Sequence, residues 1–129
     1  MTRRRLADDS GAAVAEFVMT STLVVLVFMA VVQLGLALHV RNTLVSCASE
    51  GARYGARAGS SPEQGADRAR ELINTSLSER YSGDVSTRTE TAGGTEVLVV
   101  DVSAPVPVVG PLGPSDGFEV RGRAFLEDQ

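Results

Sequence analysis

The sequence has 129 residues, a length that accommodates one membrane-spanning segment together with one small domain. Its formal net charge of −4 argues against a nucleic-acid partner, because binding to phosphates requires a basic surface. A single cysteine excludes both an intrachain disulfide and a structural zinc site built on cysteines. No grouping of nucleophile, base and orienting residue is visible, so we expect neither an enzyme nor a cofactor or metal site.

The N-terminal region combines a short polar leader with a long uncharged stretch. The leader, MTRRRLADDS, carries three arginines before Asp8 and Asp9, and no charged residue occurs from Phe17 to Leu38. At a helical rise of ~1.5 Å per residue, this stretch spans roughly 33 Å, close to the thickness of a bilayer core. We therefore predict a transmembrane helix. The arginines on its N-terminal side place residues 1–10 in the cytoplasm and the rest of the chain outside.

Two other structures are compatible with such an apolar stretch. A buried helix of a soluble protein is one, but so small a chain could hardly surround it. A secretory signal peptide is the other, and Gly35-Leu36-Ala37 has the small-x-small pattern of a cleavage site. However, the stretch is longer than the about 7–15 residues of a typical signal core, and Glu16 lies where that core should begin. The transmembrane helix is the preferred interpretation.

The helical pattern continues beyond the apolar stretch, in HVRNTLVSCASEGARYGARAG. Gly51, Gly55 and Gly59 are spaced by four residues and share one helix face with Cys47. Each glycine costs about 1 kcal/mol relative to alanine in a helix interior, which indicates a close approach by another backbone or a helix that ends near Gly59. The contact lies either within the chain or between subunits. Cys47 is correspondingly either a small packing residue or half of an intersubunit disulfide.

A second helix is predicted from residue 61 to residue 81. Ser61 is the candidate N-cap, Pro62 suits the first helical position, and Gln64 completes a capping box. The sequence Ser82-Gly83-Asp84 ends the helix. One apolar face recurs at three- and four-residue steps and consists of Ala66, Ala69, Ile73, Leu77 and Tyr81.

The last third of the chain changes to the two-residue period of strands. DVSTRTE, EVLVVDVS and FEVRGRAF are the three candidates, and TAGGT joins the first two as a hairpin. In the third strand, Phe118, Val120, Gly122 and Ala124 share one face. The proline-rich segment APVPVVGPLGPSDG connects the last two strands, and its PVPVVGPL part is either a covered loop or an exposed edge that binds a partner.

The predicted fold class is α+β. A long N-terminal transmembrane helix extends into a small extracytoplasmic head, which contains a second helix and a three-stranded antiparallel sheet. An open sheet of this kind exposes an apolar face unless something covers it, and the two helices are the candidates.

The stretch GAAVAEF, residues 11–17, places a carboxylate at the start of the apolar segment. A carboxylate at the centre of a membrane helix costs roughly 2.5–3.5 kcal/mol, and Glu16 needs a partner if it is buried among other helices. A cut after Gly11 would make Ala12 a cationic amino terminus, one helical turn from Glu16 and on the same face. The positive end of the helix dipole and an ammonium group, its own or a neighbour's, would then stabilise the charge. Such an acid fixes the axial register between packed helices.

These features together resemble the type IV prepilins. Within them, GAAVAEF and, after the membrane segment, VRNTLVSCASEGARYGARAG are similar to the TadE-like family, the minor pseudopilins of the tight-adherence (Tad or Flp) pilus machinery. The resemblance covers residues 11–58. It implies that a prepilin peptidase cuts between Gly11 and Ala12, that Ala12 is then N-methylated, and that Glu16 and Phe17 act in assembly and register. Phe17 stands where Tad pilins commonly have tyrosine.

Three regions and a set of partners follow. Residues 1–11 are a cytoplasmic leader, residues 12–59 the transmembrane helix with its extracytoplasmic extension, and residues 60–129 the head. The resemblance implies a pseudopilin of the bacterial cytoplasmic membrane that takes part in pilus assembly, and it leaves open whether the pilus serves adhesion, DNA uptake or secretion. Its partners are a prepilin peptidase, other pilins or pseudopilins, the inner-membrane assembly platform and lipid. The alternative is a membrane-anchored extracytoplasmic binding module with no role in a pilus.

Overall fold

The computed structural model describes residues 2–107 and 117–127. Its first element is helix α1, Thr2–Ala56, a continuous helix of 55 residues. The chain divides into two compact units, Met1–Gly35 and Leu36–Gln129, so the boundary falls inside α1. The N-terminal part of the helix therefore belongs to the first unit, and its C-terminal part belongs to the second.

The first unit is a helix with an apolar surface, long and apolar enough to cross a membrane. Large apolar side chains point outward along it, with Phe17 72 % and Phe28 65 % exposed. The Thr22 hydroxyl donates a hydrogen bond to the carbonyl oxygen of Val18 at 2.7 Å, so its donor is satisfied without water. These features are compatible with the predicted single-pass membrane anchor.

The second unit contains a second helix and an antiparallel sheet. Helix α2 is Pro62–Ser76, a 3₁₀ turn follows at Glu79–Tyr81, and the strands are β1, Asp84–Ala92, β2, Thr95–Ala104, and β3, Phe118–Phe125. The strands are antiparallel in the order β1-β2-β3. The predicted α+β arrangement, a long N-terminal helix with a second helix and a three-stranded antiparallel sheet, is confirmed.

The turn between β1 and β2 has the geometry that its sequence predicts. Ala92 pairs with Thr95, which leaves Gly93 and Gly94 as a two-residue loop. Both glycines have positive φ, +60° and +83°. Two consecutive residues with positive φ are the requirement of a type I′ turn, which matches the twist of a β-hairpin, and glycine meets it without strain.

Helix α2 begins where the capping signal places it. The Ser61 hydroxyl accepts a hydrogen bond from the Gln64 backbone N–H at 3.3 Å, and the Gln64 side chain accepts one from the Ser61 N–H at 3.0 Å. Pro62 occupies the first turn, where its missing N–H leaves no gap in the helix. The predicted N-cap and capping box are confirmed.

The predicted end of this helix near residue 81 is wrong. The helix stops at Ser76, and Leu77 leaves the helical region with φ −126° and ψ −103°. Residues 75–78, Thr-Ser-Leu-Ser, have weak helix propensity, because hydroxyl side chains compete for backbone groups. Leu77 and Tyr81 nevertheless pack against the core, partly buried, as the predicted apolar face requires.

The core of the second unit lies between the sheet and the two helices. Most of its helical residues are small, which lets the backbones come close. The buried cluster consists of Val40, Leu44, Cys47, Ala48 and Ala52 from α1, Ala66, Ala69 and Ile73 from α2, and Val85, Val100, Val102, Ala104 and Val120 from the strands. The extension of α1 beyond the apolar stretch is therefore part of the core of the second unit.

At Gly122, helix α1 lies directly against β3. A Cβ atom added there would overlap the carbonyl carbon of Ala48 and the nitrogen of Ser49. Atoms of an ordinary side chain do not approach backbone atoms so closely, so this position has no room for one. The sequence predicts that Gly122 shares a face with Phe118, Val120 and Ala124, and the structure shows that this face lies against α1 and why the residue is glycine.

We expect Gly122→Ala to destabilise the second unit by about 3 kcal/mol or more, because the added methyl group meets backbone atoms that cannot rotate away. The measurement is the thermal unfolding midpoint of the detergent-solubilised full chain, followed by the fluorescence of Tyr54 and Tyr81, which both lie in this unit. Gly83→Ala is the matched control, since no described atom lies within 4 Å of its Cβ position and its φ is not positive. Equal midpoints for the two variants would contradict the backbone contact.

The connection between β2 and β3 is described only near its ends. Val106, just after β2, is buried with 9 % of its surface exposed. Residues 108–116 lie outside the described residues. Most of the PVPVVGPL segment, interpreted above as a covered loop or a partner-binding edge, falls in that range.

Candidate processing and assembly site

The predicted cleavage junction lies within α1 rather than at an end of it. The helix runs through Gly11 and Ala12 without interruption, so both residues are helical in the uncut chain. Both are exposed, and no described atom lies within 4 Å of a Cβ position at Gly11. Glycine also lowers helix stability by about 1 kcal/mol relative to alanine. The predicted junction therefore lies at an exposed position where the helix is locally weakened.

Glu16 and Phe17 lie about one turn further along the helix. Four residues separate Glu16 from Ala12, which is roughly 6 Å along the axis and places the two residues on one face. Phe17 is 72 % exposed beside it. Within the described part of the chain Glu16 forms no ion pair.

In the second unit, the four-residue glycine spacing of α1 marks a backbone contact with α2. A Cβ atom at Gly51 would lie 2.7 Å from the carbonyl oxygen of Gly65, and one at Gly55 would lie 2.9 Å from the Gly65 Cα. A Cβ atom at Gly51 would also lie 2.7 Å from the Ala69 Cβ. The two helices therefore touch through small residues on both sides, a small-xxx-small contact made within one chain.

Gly59 differs from the other two glycines of α1's sequence pattern. The helix ends at Ala56, and Gly59 follows it with a φ of +82° and no described atom within 4 Å of its Cβ position. Glycine is the residue that adopts this left-handed conformation most easily after a helix. The structure therefore places Gly59 at the helix end and outside the contact with α2.

Cys47 is buried, with 5 % of its surface exposed. Burial raises the pKa of its thiol above the ordinary value of 9.0, and a hydrogen bond with Ser76 has a weaker, opposite effect. The thiol is therefore protonated at neutral pH and shielded from solvent, which makes it a poor nucleophile. Its position favours a packing role over an intersubunit disulfide.

The C-terminal end of α1 is capped by residues that follow β3. The Glu127 N–H donates to the carbonyl oxygen of Ala56 at 2.9 Å, and the Glu127 carboxylate accepts from the Ala58 N–H at 3.1 Å. The last carbonyl groups of a helix have no partner within the helix itself, so this contact satisfies one of them. Sequence reasoning missed it, because Ala58 and Glu127 are 69 positions apart and no local signal joins them.

The outer face of the sheet, turned away from the helices, carries an ion-pair network. Asp101 on β2 accepts from Arg88 Nε on β1 at 2.7 Å and from Arg121 Nε on β3 at 3.1 Å, and Arg88 also pairs with Glu90. These groups are partly exposed, so the network adds little stability. The two-residue alternation of the strands predicts which residues share this face, but not which of them form ion pairs, because ion pairing depends on strand register. Among residues 2–107 and 117–127, no group of three or more His, Cys, Asp or Glu side chains is placed to hold a metal ion.

A comparison with protein families gives a match that lies wholly within α1. Residues 11–53 match the family model described as TadE-like protein. The resemblance predicted from the sequence is thereby confirmed for this part of the chain. It begins at Gly11, the residue before the predicted cut, and ends at Arg53. Searches of curated proteins and of solved structures give no match.

We expect the Cys47 thiol of the folded, detergent-solubilised chain to react with N-ethylmaleimide at least about tenfold more slowly than in denaturant, because it is buried and protonated. Timed quenching followed by mass spectrometry measures the rate. The control is Ser46→Cys in a Cys47→Ala background, since Ser46 is the exposed neighbour on the same helix. Similar rates at the two positions in the folded chain would show that Cys47 is accessible.

Proposed function

We propose that this TadE-like protein is a minor pseudopilin in the assembly of a Tad/Flp-type pilus, and that a prepilin peptidase matures it by cutting after Gly11. One observation carries the proposal: the family match begins at the glycine whose fifth following residue is Glu16, directly before an apolar helix of membrane length. In this proposal the chain is the substrate of the peptidase and carries out no catalysis itself.

A cut after Gly11 would change the electrostatics around Glu16. In the uncut chain α1 begins at Thr2, and the favourable field of a helix N-terminus fades within the first turn. Glu16 lies about four turns from that end. Cleavage moves the helix start to Ala12, so that a positive amino group and the positive end of the helix come within about one turn of the carboxylate.

The same change supports a role for Glu16 in assembly. Removal of residues 1–11 takes away three arginines and two aspartates that would resist entry into a bundle of helices. The remaining carboxylate is tolerated in such a bundle when it is paired with an ammonium group, whereas breaking a buried pair costs about 3–5 kcal/mol. Helices shifted along their axes would separate the two charges, so the pair selects one register. Other pilins or pseudopilins and the inner-membrane assembly platform are the partners in this proposal.

The proposed orientation follows from the charges that flank the apolar segment. Three arginines precede it, at positions 3–5. By the positive-inside rule, residues 1–11 lie in the cytoplasm and the second unit lies outside the cytoplasmic membrane.

We expect Gly11→Leu to abolish trimming, because a bulky side chain at the cut bond blocks the approach of the peptidase. The intact mass of protein extracted from membranes of peptidase-containing cells should place the wild-type N-terminus at Ala12 and leave the variant whole. Gly35→Leu is the control and should be trimmed normally, since Gly35 likewise has no described atom within 4 Å of its Cβ position. A wild-type chain that keeps its leader in such cells would refute processing and favour a membrane-anchored binding module.

We expect Glu16→Gln and Glu16→Ala to insert into the membrane normally but to reduce co-purification with partner pilins, and the number of surface pili, by about tenfold or more. Either change leaves the partner's ammonium group without its counter-charge. Thr20→Ala, one turn further along the same face, is the uncharged control and should assemble as the wild type does. Unchanged piliation in both Glu16 variants would remove the register argument.

A further inference from the structure

Strand β1 lies at an edge of the sheet, because the strand order is β1-β2-β3. An edge strand presents unpaired N–H and C=O groups that can template another strand. At one end of β1, Arg70 Nη2 donates to the carbonyl oxygen of Val85 at 2.8 Å. From Thr87 to Thr91, no hydrogen bond from the described residues reaches this edge, and Thr89 and Thr91 are exposed. A segment of five residues is thus open to pairing.

The hydrogen-bonding phase of β1 follows from a contact elsewhere in the sheet. The carbonyl oxygen of Glu96 accepts from the Leu126 N–H at 3.0 Å, so Glu96 bonds toward the β3 side. Bonding direction alternates along a strand, so Val97 bonds toward β1, where its register partner is Glu90. The backbone N–H and C=O groups of Glu90, and of the residues an even number of positions from it, therefore point toward β2. The outward-directed backbone groups belong to Val85, Thr87, Thr89 and Thr91, and the Arg70 contact at Val85 agrees with this phase.

We propose that β1 pairs antiparallel with β1 of a second copy of this chain, about a two-fold axis that passes between the two Thr89 residues. In this register Thr89 lies opposite Thr89, and Thr87 lies opposite Thr91. On the outer face of the sheet, Arg88 of each copy lies opposite Glu90 of the other. The contact is isologous, and it joins two three-stranded sheets into one continuous sheet of six strands.

Charge selects this register over its neighbours. A shift of two residues in one direction places Arg88 opposite Arg88, and the same shift in the other direction places Glu90 opposite Glu90. Like charges directly opposite one another are destabilising in an antiparallel pair. A shift of one residue would align outward-directed groups with groups turned toward β2, so the ladder could not form.

The sequence of β1 also argues for a copy of itself as the occupant. The exposed segment Thr87–Thr91 reads Thr-Arg-Thr-Glu-Thr, without proline or lysine to blunt the edge. Its two charges are opposite in sign and symmetric about Thr89, so the segment is complementary to its own reverse. A short edge contact is weak on its own, but anchoring of both copies in one membrane would raise their effective concentration.

Disulfide trapping in membranes tests the register. In a Cys47→Ala background, Thr89→Cys places two thiols across the axis, with Cα atoms about 5.5 Å apart, a separation that a disulfide spans. Thr87→Cys lies on the same face and edge, but its counterpart is about 13 Å away along the strand. Oxidation of the full chain with copper phenanthroline should give at least tenfold more dimer from Thr89→Cys than from Thr87→Cys. A tagged Thr87→Cys chain should also cross-link to a co-expressed Thr91→Cys chain.

Charge exchange tests the pairing independently of folding. Arg88→Glu gives a segment with two acids, and Glu90→Arg gives one with two arginines. Each variant alone, combined with Thr89→Cys, should therefore give about tenfold less disulfide-linked dimer. Co-expression of the two, with different tags, should restore a mixed dimer, because each acid then faces an arginine. A fold damaged by loss of the Arg88–Asp101 pair could not be rescued by a second chain.

Three outcomes would overturn the proposal. They are equal dimer yields from Thr89→Cys and Thr87→Cys, failure of the two charge variants to restore each other, and trapping of Thr89→Cys on a protein of different mass. The last result would assign the edge to another subunit in place of a second copy.

Discussion

The second unit depends on one constraint, which is that α1 approaches β3 and α2 so closely that backbone meets backbone. Gly122 of β3 lies on one side of the helix, and Gly65 of α2 lies against Gly51 on another. With only 5 % aromatic residues the chain has few bulky groups to fill a thick core, so close approach has to supply the packing. Interlocked glycines and alanines supply it, and they leave almost no tolerance for added volume.

The size and exposure of the apolar residues of α1 differ between the two units. In the first unit large apolar residues such as Phe17 and Phe28 are exposed. In the second unit its buried residues include several small ones, such as Ala48 and Ala52, because the neighbour there is a folded backbone of fixed shape. One continuous helix therefore carries an exposed apolar surface in the first unit and a closely packed surface in the second. The family match, which covers residues 11–53, includes both kinds of surface.

What could be predicted from the sequence was local. The membrane-length helix, the capping box at Ser61 and the hairpin at Gly93 each depend on a few neighbouring residues whose preferences agree. The helix end at Ser76 was missed, because apolar periodicity continued to Tyr81 after the backbone had left the helix. The alternation of β3 grouped Gly122 with the correct neighbours. Its contact with Ala48 joins distant parts of the chain, and alternation along one strand does not show how closely another element approaches it. The residues of the proposed processing site could be found early because their spacing, four residues from Ala12 to Glu16, is itself local.

The contact between Glu127 and Ala56 has a consequence for the order in which the second unit folds. Synthesis delivers α1 first, while the residues that cap it and cover its inner face, 118–127, come after every other described element. Until residues 118–127 have been made, the core that buries Val40 and Leu44 is incomplete. The carbonyl group of Ala56 also lacks the hydrogen bond from Glu127. The second unit therefore completes its core only when residues 118–127 have been made. Before its final strand is made, apolar surface of this unit is uncovered, and the chain is then most prone to pair with a wrong partner.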